Sequence, residues 1–75
     1  MQGKLEYNRQ NDRYGLLVGD IFEKQGFSCG DTLEALIADE WRKTRIEMDW
    51  SSGKGEWYLV NTPYKGNLNG VEVRV

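Results

Sequence analysis

Apolar and polar side chains alternate with a period of two along much of this chain. In "KLEY", Leu5 and Tyr7 fall on one face and Lys4 and Glu6 on the other, as in a strand with one buried side. "NRQND" interrupts the alternation and reads as a turn, because Asn and Asp hydrogen-bond to nearby backbone and tolerate left-handed geometry. "RYGLLV" resumes it, with Tyr14, Leu16 and Val18 on one face. From Gly19 to Gly30 the pattern is irregular, with Phe22 and Phe27 as anchors. After a turn at "NLNG", the closing "VEVRV" sets Val71, Val73 and Val75 against Glu72 and Arg74. Glycines spread along the chain mark turns between short segments, which predicts a β-rich domain.

The middle of the chain supports two readings equally well. "DTLEALIADEWRK" carries Asp31 and Glu34 in capping-box spacing, and Leu33, Leu36, Ile37 and Trp41 at helical spacing. That reading places a helix over residues 32–42. The strand reading puts Leu33, Ala35 and Ile37 on one face and turns at Asp39 and Glu40. Ala38 then faces Trp41, Ala35 faces Thr44 and Leu33 faces Ile46, and the apolar face continues through Met48 and Trp50.

"RIEMDWSSGKGEWYLV" holds two tryptophans around a glycine-rich loop. A three-residue loop would place Trp50 opposite Tyr58 and turn Trp57 outward. A four-residue loop would place Trp50 opposite Trp57 and turn Tyr58 outward. Both registers assign Trp50 to the core, and both leave one large aromatic on the outer face beside Arg45. That outer aromatic is either a binding patch or a ring covered by Phe22 or Phe27 from the Gly19–Gly30 segment.

The segments "LEYNRQNDRYGLL", "GFSCGDTLEALI", "TRIEMDWSSGKGEWYLV" and "GVEVRV" together resemble a family of small uncharacterised proteins. That family comes from Gram-positive bacteria and is often carried on mobile genetic elements. It is classed as a domain of unknown function. Its members typically carry an Asp-Gly turn before the tryptophan matched by Trp41, which favours the hairpin over the helix. This chain has "ADEW" there, which leaves the turn type open. The resemblance implies no activity, ligand or catalytic residue.

With the hairpin adopted, the expectation is a single domain over residues 1–75. It would be all-β, a small six-stranded, partly open barrel of the SH3-like kind, with an α+β fold as the alternative. A chain of 75 residues buries a thin core, which its nine aromatic residues thicken.

Charge and chemistry narrow the function. The formal net charge is −2, without the basic excess that usually marks a duplex-binding domain. Six acids and one lysine lie between Asp20 and Glu40, and "WRKTR" follows directly. There is no histidine, the usual general base near neutral pH. The single cysteine, Cys29, can neither close an internal disulfide nor build a structural zinc site. "SSGKGE" lacks the spacing of a phosphate loop, so its glycines are assigned to turn geometry. Glu47 and Asp49 share a strand face and are assigned to balancing Arg45. No enzyme activity, cofactor or metal is expected. No apolar run is long enough to span a bilayer, and the N-terminus lacks a signal-peptide core, so a cytoplasmic location is expected.

The functional expectation is a non-enzymatic interaction module, an accessory or regulatory factor that binds another protein. Its candidate patch is Trp41, Arg45, Trp57, Tyr58 and Lys54. Nucleic-acid binding by a small barrel, and an acidic stretch that mimics a nucleic-acid backbone, are the alternatives.

Overall fold

The computed structural model describes residues 1–75 and contains no helix. Seven strands form: β1 (Gln2–Asn8), β2 (Arg13–Val18), β3 (Ile21–Lys24), β4 (Thr32–Ile37), β5 (Glu40–Asp49), β6 (Glu56–Leu59) and β7 (Glu72–Arg74). They make one antiparallel sheet in the order β3-β2-β1-β7-β4-β5-β6. β3 and β6 are its two edges, so the sheet is open. The all-β expectation holds. The strand count rises from six to seven because "IFEK", within the irregular segment, pairs with β2 across a bulge.

The predicted alternation orients the sheet. Leu5, Tyr14, Leu16, Leu33, Ala35, Ile46, Leu59 and Val73 point to one face and are buried there. Leu68, Val71 and Phe27, from connecting segments, complete a single core cluster of 11 residues. Strands near both edges of the sheet feed this one cluster, so the sheet wraps around it. Val75 continues the alternation of β7 but stands 55% exposed.

Residues 32–42 form a hairpin, and the helical alternative is overturned. Ile37 pairs with Glu40, Leu36 with Trp41 and Leu33 with Thr44. The turn is therefore Ala38-Asp39, one residue earlier than the pattern suggested. Both turn residues have positive φ, 50° and 65°, the geometry of the two-residue turns that suit strand twist. The predicted facing pairs slide by two residues, Leu33 meeting Thr44 in place of Ile46, and an even slide leaves every side chain of the two strands on its predicted face.

Each edge is protected by a different device. β3 is short and bulged and carries Glu23 and Lys24, features that discourage further strand pairing. It approaches β2 closely because position 15 has no side chain: a Cβ at Gly15 would lie 2.5 Å from the Lys24 carbonyl oxygen. β6 is covered by the chain that follows it. The Leu59 N–H donates to the Tyr64 carbonyl at 3.0 Å, and the Gly66 N–H donates to the Trp57 carbonyl at 2.8 Å.

Candidate functional site

The β5–β6 hairpin adopts neither predicted register. Met48 pairs with Trp57, Glu47 with Tyr58, and Asp49 with Glu56. The ladder ends at Asp49, leaving a six-residue loop from Trp50 to Gly55. The cause is local. The Asp49 carboxylate accepts the Ser51 N–H at 2.8 Å, and the Gly53 N–H donates to the Trp50 carbonyl at 2.9 Å. These bonds turn the chain immediately after the strand.

This register decides the fate of each aromatic. Trp57 lies on the core face and packs against the buried cluster. Tyr58 lies on the outer face. Trp50, assigned to the core from the sequence, is 66% exposed. One side of its indole is backed by the loop itself: a Cβ at Gly55 would meet Cζ3 of Trp50 at 2.8 Å and Sδ of Met48 at 3.0 Å. Only glycine, at φ 79°, allows this approach.

The candidate patch therefore divides. Trp41, Arg45 and Tyr58 share the outer face of β5 and β6, as alternation with the buried Thr44, Ile46 and Leu59 requires. Trp57 belongs to the inner side, and Lys54 stands exposed at the loop tip. Phe22 and Phe27 do not cover Tyr58. Phe27 is buried in the core, and Phe22 packs over Gly15 at the β3 end of the sheet.

Cations cover the two outer rings instead. The Arg74 guanidinium from β7 lies 4.4 Å from the centre of the Trp41 ring. Arg74 is fixed by its Nε, which donates to Glu34 on β4 at 2.9 Å. The Lys65 ammonium lies 5.7 Å from the centre of the Tyr58 ring, and it is paired with Asp49. Arg45 donates through Nε to Glu47 at 2.8 Å. Each outer aromatic is thus held in a charged frame drawn from three segments. Sequence reading missed Arg74, Lys65 and Glu34 as parts of this site, because β7 and the 60–71 segment reach it only through the tertiary fold. The one available signal was the alternation in "VEVRV", which already turned Arg74 outward.

The electrostatics follow from these pairs. The hydrogen bond from Arg74 holds the Glu34 carboxyl below its ordinary value, outweighing the opposing effect of desolvation, with further help from the charges of Arg74 and Lys43. Lys65 and the Ser51 N–H hold the Asp49 carboxyl well below the usual carboxylate range. The hydrogen bond to Asp49 raises Lys65 in turn. Glu47 and Asp49 face outward as expected; Glu47 balances Arg45, while Asp49 is committed to Lys65. No three His, Cys, Asp or Glu side chains gather where they could hold a metal. No helix is long and apolar enough to cross a membrane.

The six acids between Asp20 and Glu40 do not form one strip. Glu23 lies on the β3 edge, Asp31 caps the Ser28 N–H, Glu34 holds Arg74, and Asp39 and Glu40 sit at the far β4–β5 turn.

Fold and site together define a small all-β domain with one open antiparallel sheet and a framed aromatic outer face. The chain belongs to a family described as a domain of unknown function, DUF5348, whose model matches residues 3–75. It is also similar to a protein from Ruminococcus gnavus whose crystal structure was determined by the Northeast Structural Genomics Consortium. The two share 30% sequence identity and a TM-score of 0.78 over 100% of each chain. No curated protein matches the chain.

Proposed function

We propose that this domain is a non-catalytic module that binds another protein through the outer face of β4, β5 and β6. The observation that carries this reading is the pair of framed rings on that face. Trp41 and Tyr58 are separated by six steps along β5, since Tyr58 faces Glu47; at the strand rise this is roughly 20 Å. Two anchors that far apart exceed the reach of a typical small ligand but suit a protein contact of about 800 Å² per partner. Trp, Tyr and Arg are the residues most enriched among binding hot spots. Cations that hold the rings in place also lower the entropy lost on docking. Arg45, paired with Glu47 on the stretch of β5 between the two rings, adds a third side chain of the type that anchors such contacts. An accessory or regulatory role, and a cytoplasmic setting, belong to this proposal.

Nucleic-acid binding is the weaker reading. On the outer face of β4–β7 and the adjoining loops, the acids Glu34, Glu47, Asp49, Glu56 and Glu72 balance the bases Lys43, Arg45, Lys54, Lys65 and Arg74. That face therefore offers a polyphosphate chain no basic excess to attract it.

The test compares partner capture from extracts of the source cell by the wild-type chain, Trp41→Ala and Tyr58→Ala, with thermal unfolding measured in parallel. We expect a discrete captured protein that both variants lose while unfolding cooperatively near the wild-type temperature. Equal capture by all three chains would remove the outer face as the contact surface. Tight binding of single- or double-stranded nucleic acid at low salt would favour the second reading.

A further inference from the structure

We infer that a groove at the junction of β4, β5 and β7 receives a single oxyanion, a phosphoryl or carboxylate group, presented by the partner protein. The inference rests on the protein-binding reading above and names the chemistry that the outer face recognises. The groove lies over Thr32 and is bounded by Glu34, Lys43, Arg74 and Val75, with a volume of about 390 Å³. Through Thr32, Lys43 and Thr44 it continues into a smaller depression toward Arg45, Val60 and Asn61.

Its walls are rich in donors and poor in acceptors. Arg74 spends only Nε on Glu34, and Arg45 spends only Nε on Glu47. The Nη nitrogens of both guanidinium groups have no acceptor in the protein, and neither do the Lys43 ammonium, the Thr32 hydroxyl or the Asn61 carboxamide. The two carboxylates present are already occupied. Three side-chain cations stand against two side-chain carboxylates, and at the groove's edge Val75 is matched by the Met1 ammonium, which donates to it at 2.7 Å; a local charge of +1 remains on a chain whose net charge is −2. Planar guanidinium groups with free Nη edges suit carboxylate and phosphoryl oxygens. The small local excess fits one anionic group, whereas the acids Asp49, Glu56 and Glu72 elsewhere on the face oppose an extended polyanion.

The position also suits the neighbouring anchor. Lys43 lies between Trp41 and Arg45 on β5, and Arg74 serves both the Trp41 ring and the groove wall. A partner residue that reaches the groove would therefore lie beside the Trp41 anchor.

The test is a ¹⁵N-resolved NMR titration of the full chain at low salt with four probes: inorganic phosphate, a phosphoserine peptide, a glutamate-rich peptide and a single-stranded oligonucleotide. We expect shifts confined to the amides of Thr32, Lys43 and Arg45 and the Nε–H groups of Arg45 and Arg74. They should appear with phosphate and with at least one peptide, and the stronger peptide identifies the group as phosphoryl or carboxylate. Lys43→Glu, which replaces an exposed and unpaired side chain, should weaken the effect by about tenfold. Trp41→Ala should retain the response to phosphate. Absence of localised shifts with phosphate and both peptides, an unchanged response in Lys43→Glu, or a response to the oligonucleotide alone would overturn the inference. Partner capture without any oxyanion response defeats the groove and leaves the protein-binding reading standing. A phosphate response without a captured partner defeats that reading and, with it, the claim that a partner presents the oxyanion, while the groove stands as an oxyanion site.

Discussion

Asp49 joins three features at the mouth of the β5–β6 hairpin. It ends the ladder opposite Glu56, turns the chain by accepting the Ser51 N–H, and anchors Lys65, which covers Tyr58. Its carboxyl titrates lower in the folded chain than in the unfolded one, so its contribution is complete above the ordinary carboxylate value of about 3.9 and is lost as pH falls through the folded value. Lys65 titrates higher when folded, so its share is complete below about 10.4 and is lost as pH rises through its folded value. The pair therefore stabilises across a plateau from about pH 5 to about pH 10. Comparison of wild-type and Asp49→Asn unfolding temperatures should show a constant gap on that plateau that narrows below about pH 4. A gap that stays constant to pH 2 would mean that the Asp49 charge is not the source of the stabilisation, since Asn keeps an oxygen that can accept the Ser51 N–H. Trp50 shows the limit of sequence reading at this scale. Its apolar character and spacing both pointed inward, but the carboxylate one residue earlier captures the Ser51 amide and diverts the chain. Period-two patterns count residues along a strand and do not register where a side chain ends it.

The β4–β5 hairpin shows how tertiary pairing decides between two locally balanced elements. A helix over 32–42 would have satisfied its own backbone and gathered Leu33, Leu36, Ile37 and Trp41 on one face. As a strand, residues 32–37 pair with β5 on one side and β7 on the other, and Leu33 and Ala35 enter the common core while Leu36 and Trp41 pair outside. Asp31, the expected helix cap, instead accepts the Ser28 N–H at 2.8 Å. The strand faces were legible from alternation, since Leu33, Ala35, Thr44 and Ile46 are all buried. The turn position was not, because "ADE" carries no glycine to mark it. β3 was also missed; four residues with a bulge leave too little alternation to recognise. The turn makes a prediction of its own. Ala38 holds a positive φ with no side-chain group to support it, a conformation that costs an L-residue about 1–2 kcal/mol. Replacing Ala38-Asp39 with Asn-Gly should relieve the strain, partly offset by the greater unfolded-state freedom of glycine. The expected net gain is about 1 kcal/mol, or roughly 4–8 °C in unfolding temperature for a domain of this size. An unchanged or lower temperature would show that Ala38 is not strained.

At the scale of the whole molecule, an open sheet must be held around its core by something other than strand pairing. Tyr14 serves this purpose. Its hydroxyl donates to the Gly66 carbonyl at 3.2 Å and accepts the Leu68 N–H at 3.1 Å, tying β2 to the segment that follows β6. Between those two bonds Leu68 is placed fully inside the core, and the same segment covers the β6 edge. Tyr14 was legible as a core residue from the pattern of β2; its polar tip was not, because both partners lie more than fifty residues away. Tyr14→Phe keeps the ring and removes only the hydroxyl. The buried Leu68 N–H then loses its acceptor, a loss worth about 1–3 kcal/mol, and each kcal/mol lowers the unfolding temperature by roughly 4–8 °C. Tyr7→Phe is the control, since its hydroxyl makes one exposed bond, to Asp12 at 3.1 Å, and its loss should cost less than about 1 kcal/mol. Amide exchange in Tyr14→Phe should quicken first at Gly66 and Leu68 and next at Trp57 and Leu59, whose strand those residues protect. Equal unfolding temperatures for the two variants, with Leu68 still protected, would show that packing of the rings alone keeps the sheet wrapped.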